Sequence, residues 1–323
     1  MAKIIDLHCD TIMALYQEKD KELSKNDLQI DLEKLNKGNY LAQVFAMFVF
    51  LKAGNPYNVC NEMIDLFYSE LDKNKDKIAL ALTADDLIKN EEKGLLNAIL
   101  SIEEGGVVEG SIEKLIHFYN RGVRMICLNW NFVNGIGHPN FTLIPNEKPD
   151  FKNPNITEGL TDFGVEMVKK MEELGIIIDV SHLSDKGFWD VYNNTTKPFI
   201  ASHSNARSVC NHTRNLTDEM IKALALRGGV TGLNFCTNFI NEEATVTTVS
   251  DIVKHSIHII KVGGIDCLAI GTDFDGIGRT TEIDHAGQMG KLYQGFKDAG
   301  LSEEDIDKIF YKNFLRVFKE VCK

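Results

Sequence analysis

Eight short apolar runs, separated by segments of helical periodicity, constrain this chain more than any other feature: 3–8, 41–49, 96–103, 123–129, 176–181, 198–202, 229–235 and 267–272. Most are continuous rather than alternating, the pattern of parallel strands covered on both faces. Between them apolar residues recur every three or four positions. Leu160, Phe163, Met167, Met171 and Leu174 trace one such face before Gly175 stops it, and Gly122 and the Gly263-Gly264 pair stop others. Ser302-Glu303-Glu304-Asp305 opens the last helix like a capping box, with Ile306, Ile309, Phe310, Phe314 and Val317 following on one side. Eight alternations without a Gly-x-Gly-x-x-Gly turn favour an α/β fold of the (β/α)8 TIM-barrel type over an open dinucleotide-binding sheet. No linker divides the 323 residues, so a single catalytic domain over 1–323 is expected. Two long connections, 9–40 and 131–159, carry Asn, Gly and Pro with little periodicity and are expected to shape a substrate entrance.

Residues that bind metal or move protons gather at the ends of these runs: His8, Asp10, Glu104, His182, His203 and Asp273. In a barrel of this type the C-terminal strand ends carry the chemistry. His8 and Asp10, two positions apart, lie on one face of an extended segment and can reach one metal. With His182 and His203 they form the imidazole and carboxylate set that zinc favours in hydrolytic sites. Glu104, followed by two glycines that let backbone approach closely, suits a bridging carboxylate, although the Glu103-Glu104 doublet leaves open which glutamate acts. Asp273 is placed to take a proton from a metal-bound water, and Asp275 reads as a turn residue. Asn234, ending the seventh run, is a candidate pocket residue. His117, His255 and His258 lie on helices and read as structural; His212 and His285 lie near site loops as candidate supporting groups.

The balance of charge narrows the partners. A formal net charge of −12, with basic residues scattered along the chain, disfavours nucleic acid and anionic membranes. No stretch approaches a membrane span, and Met1-Ala2-Lys3-Ile4-Ile5-Asp6 lacks the pattern of a signal peptide. The seven cysteines are odd in number and contain no Cys-x-x-Cys pair, so reduced thiols and a cytoplasmic location are expected.

Together these residues resemble the membrane (renal) dipeptidase family of zinc metallopeptidases, within the amidohydrolase-like barrels. The matching pieces are Asp6-Leu7-His8-Cys9-Asp10-Thr11, Glu104-Gly105-Gly106, Ile178-Asp179-Val180-Ser181-His182, Ala201-Ser202-His203-Ser204-Asn205-Ala206, Arg214-Asn215-Leu216, Gly271-Thr272-Asp273-Phe274-Asp275-Gly276 and Asn313-Phe314-Leu315-Arg316. The resemblance implies two zinc ions, one held by His8 and Asp10 and one by His182 and His203, with Glu104 between them. It implies that Asp273 shuttles a proton to the leaving amine, and that Arg214 recognises the free carboxylate of a dipeptide. Where many family members carry a histidine after the fourth strand, this chain has Trp130, flanked by Asn131, and both are candidate substrate contacts. Indole cannot titrate, so His138 in the following loop is a candidate substitute. The implied activity is cleavage of small dipeptides, including those with a D-residue in second place; family members are often homodimers. Two alternatives stand beside it: another amidohydrolase-type reaction, such as deacylation of an N-acyl amino acid, and a catalytically silent metal-binding barrel.

Overall fold

The computed structural model describes residues 2–52, 54–141 and 150–323. Among these residues nine parallel strands form one sheet: β1 (Ile4–Asp6), β2 (Tyr40–Phe48), β3 (Ile78–Leu80), β4 (Leu96–Glu103), β5 (Val123–Cys127), β6 (Ile177–Asp179), β7 (Ile200–Ala201), β8 (Val230–Leu233) and β9 (Leu268–Ile270). β1 pairs with both β2 and β9, and β2 pairs with β4, so the sheet closes on itself through eight strands. Each matches one of the eight apolar runs, and the expected (β/α)8 TIM-type barrel is the fold. β3 is additional. It pairs with residues 96–98 of β4, outside the ring.

Alternate strand positions separate into two apolar clusters, as a period of two requires. Ile5, Val44, Ile99, Met125, Ile177, Ile200, Val230 and Ala269 share one cluster with Phe314, Val317, Phe318 and Val321. Phe45, Leu100, Ile102, Val123 and Ile126 belong to the other, with the surrounding helices' Ile64, Phe67, Phe118, Met167 and Met171. The first set fills the barrel interior, and the last helix closes it. That helix is not the uninterrupted one the periodicity predicts. A helix at Glu303–Asp307, capped by both bonds of the Ser302 and Asp305 box, passes through a π-turn at Lys308–Lys312 before Asn313–Val321. Asn313 Nδ2 donates to the carbonyls of Ile265 and Leu268, both at 2.8 Å, pinning the second segment beside β9.

The helix expected before Gly175 spans Asp162–Leu174. Thr161 caps its start, and Gly175, at φ 82°, takes the left-handed conformation that ends it. The connection 9–40 is more ordered than its composition predicts, holding helices at Thr11–Gln17 and Leu32–Lys37. Of the connection 131–159, residues 142–149 lie outside the described residues. Asp275 does act in a turn: at φ 68°, its carboxylate accepts from Gln29 N at 2.6 Å and Thr11 Oγ1 at 2.7 Å, tying the 9–40 connection to the exit of β9.

Candidate active site

Strand geometry decides which of two adjacent glutamates enters the barrel mouth. Glu103 shares its side of β4 with Ile99 and Ser101, so its carboxylate points inward. Its Oε2 lies 3.2 Å from His8 Nε2; its Oε1 lies 3.1 Å from His182 Nε2 and 3.6 Å from His203 Nε2. Glu104, the expected bridging group, is directed elsewhere. At φ 78° it turns out of the strand, and its carboxylate accepts from the backbone N–H groups of Gly106 and Trp130, both at 2.9 Å, and from Asn134 Nδ2. The inward carboxylate is therefore Glu103's, and Glu104 ties the end of β4 to the loop after β5. Both faces of β4 are apolar in sequence, Ile99 on one and Leu100 and Ile102 on the other, so alternation separates the two glutamates only once the inward face is known.

The other expected residues converge on Glu103. His8 Nε2 lies 3.7 Å from Asp10 Oδ2 and 3.8 Å from Asp273 Oδ1. Among the described residues two sets of donor atoms are compact enough to hold one ion: His8, Glu103 and His203, and His8, Asp10 and Asp273. On the far side His182 Nε2 and His203 Nε2 face one another at 3.1 Å. His182 Nδ1 lies 2.9 Å from Asn131 Oδ1, an acceptor, and His203 Nδ1 lies 2.6 Å from Ser202 Oγ, whose own proton goes to Asp179; with both Nδ1 atoms donating, both Nε2 atoms present lone pairs. Two buried lone pairs facing each other beside a carboxylate repel unless a cation lies between them. His8 Nε2 and Asp10 Oδ1 are buried without hydrogen-bond partners, which fits the same donor set. Gly276 is part of this cradle, because a Cβ there would lie 2.0 Å from Asp10 Oδ2.

Burial governs the electrostatics. It holds His182 and His203 well below the usual imidazole range, reinforced by Arg214 and His8. Burial opposes charge on His8 too, but the carboxylates of Glu103 and Asp10 outweigh it and raise its affinity for a proton. Burial raises Glu103, against the opposing pull of His8, and lifts Asp273 to about 7. His182 and Asp273 both adopt positive φ, 68° and 64°, at the point where backbone leaves the strand for the site.

A cleft of about 300 Å³ opens beside the cluster, lined by Asp10, Met13, Phe48, Glu103, Trp130, Asn131, His182, Phe239, Asp273 and Ile277 among others. Trp130 packs edge-on against Phe48 with ring centroids 5.0 Å apart. Asn131 lines the cleft while orienting His182. Asn234, expected to line the pocket, is instead fully buried behind Asp273, donating to its Oδ2 at 2.8 Å. Arg214 is also deeper than expected. It is 3% exposed, donates to Ser204 Oγ and to the His203 carbonyl at 3.2 Å each, and keeps an unpartnered Nε beside Phe239. His138 is absent from the cleft lining; its Nδ1 is engaged by the Gly159 carbonyl at 3.0 Å. His212 accepts the backbone N–H of Arg214 at 3.1 Å, a supporting contact, whereas His285 caps a short turn at Ala286–Gln288.

A closed parallel barrel with imidazoles and carboxylates gathered at its C-terminal mouth defines the class as a metal-dependent hydrolase. More particularly, the chain belongs to the membrane dipeptidase family, peptidase family M19, whose model matches residues 1–323. It is similar to an uncharacterised protein of the pqqA 5′ region of Klebsiella pneumoniae, 32% identical over 271 residues, covering 83% of this chain and 98% of that one. An uncharacterised dipeptidase of Schizosaccharomyces pombe is 29% identical over 342 residues, covering 99% and 80%. Among solved structures, a metallopeptidase from Rhodobacter sphaeroides, liganded with a phosphinate mimic of the dipeptide L-Ala-D-Ala, superposes with a TM-score of 0.90 at 22% identity over 99% of both chains. A family M19 dipeptidase, named as a metallopeptidase, gives 0.91 at 23% identity over 99% of both.

Proposed function

We propose that this family M19 dipeptidase is a binuclear zinc enzyme cleaving small dipeptides with a free C-terminal carboxylate, with residues 1–323 as one catalytic domain. The observation that carries the reading is Glu103, with one oxygen toward His8 and the other toward the facing lone pairs of His182 and His203. His8 and Asp10 would hold one ion, His182 and His203 the other, and Glu103 would span both. Ions held there would supply Lewis acidity and lower the pKa of a bound water. Asp273, reaching into the cleft and held by Asn234, accepts the proton released by water and returns it to the leaving amine nitrogen. Arg214 supplies the positive charge for the substrate carboxylate. Asn131, with its Oδ1 committed to His182, offers its amide N–H groups to the substrate. Trp130 and Phe48 form an apolar wall and exchange no proton.

Tolerance for a D-residue in second place draws support from the mimic bound by the Rhodobacter sphaeroides relative. A cytoplasmic location is supported by seven unpaired cysteines, and no helix among the described residues is long and apolar enough to cross a membrane.

Amino acid release from L-alanyl-D-alanine and from its C-terminal amide by the zinc-loaded protein tests the substrate and Arg214 together. Cleavage of the free acid alone is expected, with kcat/KM about 10- to 100-fold lower in Arg214→Lys, the scale of one lost charged hydrogen bond. Equal cleavage of acid and amide would remove Arg214's role. Failure to cleave either with zinc bound would overturn the dipeptidase reading.

A further inference from the structure

Behind the facing imidazoles lies a chain of buried polar groups. Asp179, at the end of β6 and fully buried, accepts the backbone N–H groups of Ser181 and Ser202 through Oδ1, both at 2.9 Å. Its Oδ2 accepts the Ser202 hydroxyl. Ser202 Oγ lies 2.6 Å from His203 Nδ1 and 3.3 Å from Ser181 Oγ, and Ser181 Oγ accepts the backbone N–H of His203 at 3.1 Å. Each proton then has one assignment. A hydroxyl carries one proton and Asp179 takes it, so Ser202 meets His203 as an acceptor and the imidazole proton sits on Nδ1. The Nε2 lone pair is left facing Glu103 and His182.

We propose that Asp179 and Ser202 are positioning residues forming a tautomer lock, in which a carboxylate acts through a hydroxyl to keep His203 Nε2 free for a divalent cation. The inference rests on reading His203 as a metal ligand. Supporting groups of this kind commonly fix ligand histidines, usually by direct contact. Here the carboxylate is anchored on β6 while His203 follows the neighbouring β7, and the serine spans the gap. The barrel contains a second staple of similar construction: Asp6 accepts Thr272 N at 2.9 Å and Thr272 Oγ1 at 2.7 Å, immediately before Asp273. Among the described residues only Ser202 passes such a contact to an imidazole.

Asp179→Asn reverses the chain at constant shape. Two backbone N–H groups still require an oxygen at the Oδ1 position, so the new amide N–H must face Ser202 Oγ. Ser202 then donates to His203 Nδ1, at 2.6 Å much the nearer of its two remaining acceptors, with Ser181 Oγ at 3.3 Å, and the imidazole proton moves to Nε2, where it blocks ligation. Nitrogen-15 histidine NMR of the metal-free protein at about pH 8, above the ordinary imidazole range, should show His203 protonated at Nδ1 in the native chain and at Nε2 in Asp179→Asn. Zinc affinity at one site should fall about 10- to 100-fold in Asp179→Asn and Ser202→Ala, and return in Ser202→Thr, which restores a hydroxyl. An Nε2-protonated native His203, or an unchanged tautomer in Asp179→Asn, overturns the lock. If Asp179→Asn does not fold, the alanine and threonine variants decide: equal zinc affinities overturn it. A native chain that binds no zinc but whose tautomer switches supports the lock and removes the metal reading instead.

Discussion

At the end of β4 one peptide bond separates a carboxylate at the centre of the site from one that holds backbone together. Glu103 faces three imidazoles, whereas Glu104 is saturated by N–H donors, and burial raises it to about 7 even against those bonds. Glu103→Gln should therefore lose tightly held metal on dialysis and lower turnover by more than about 100-fold, the scale of a lost electrostatic group at a reacting centre. Glu104→Gln should retain metal and lose about 1–3 kcal/mol of stability, because its amide N–H turns against a donor. Metal analysis and urea unfolding read both, and loss of metal only in Glu104→Gln would reverse the roles. The histidines and Asp10 were legible as strand-end residues because each follows an apolar run that a ligand-type side chain interrupts. Asn131 and Asn234 were legible as neighbours of the site, but not as holders of His182 and Asp273, since those partners lie 51 and 39 residues away.

The strands themselves were legible because burial on both faces leaves continuous apolar runs. Their ends were not, because β6 stops at Asp179 and β9 at Ile270, three residues before His182 and Asp273 take left-handed backbone and mark the turn into the site. β3 escaped because three residues outside the ring carry too little pattern to stand apart from flanking helices. The π-turn was hidden for a related reason: the apolar spacing continues through it, and the contact that follows it, Asn313 with the Leu268 carbonyl, joins residues 45 apart in sequence. Phe318, fully buried in the same segment, packs in the cluster that fills the barrel interior. Phe318→Ala should cost about 3–5 kcal/mol, measured by urea unfolding, with zinc affinity unchanged. A parallel loss of zinc would mean that this end of the barrel also shapes the site.

Across the whole molecule, stability should depend on acid through a buried group outside the cleft lining. His255, on the helix Val249–Gly263, donates through Nε2 to the Ile240 carbonyl at 2.8 Å and accepts Ala206 N at 3.2 Å, so its neutral form is fully satisfied. Burial lowers it to about 4. Between an unfolded value near 6.5 and that folded value, the unfolded chain binds a proton that the folded chain refuses. Stability present above pH ~6.5 is thus lost as pH falls toward 4, by up to about 3 kcal/mol. In His255→Gln the acid-induced loss should be smaller by that amount in denaturant titrations of the metal-free protein; parallel curves for the two would exclude the contribution. The order of elements along the chain has a consequence for synthesis. β9, which closes the ring against β1, and the segment Asn313–Val321, which fills its interior, are both made late. The ring and its filling cannot be completed until residue 321 has left the ribosome, so the interval before that is when the emerging chain should be most prone to aggregation and to capture by chaperones.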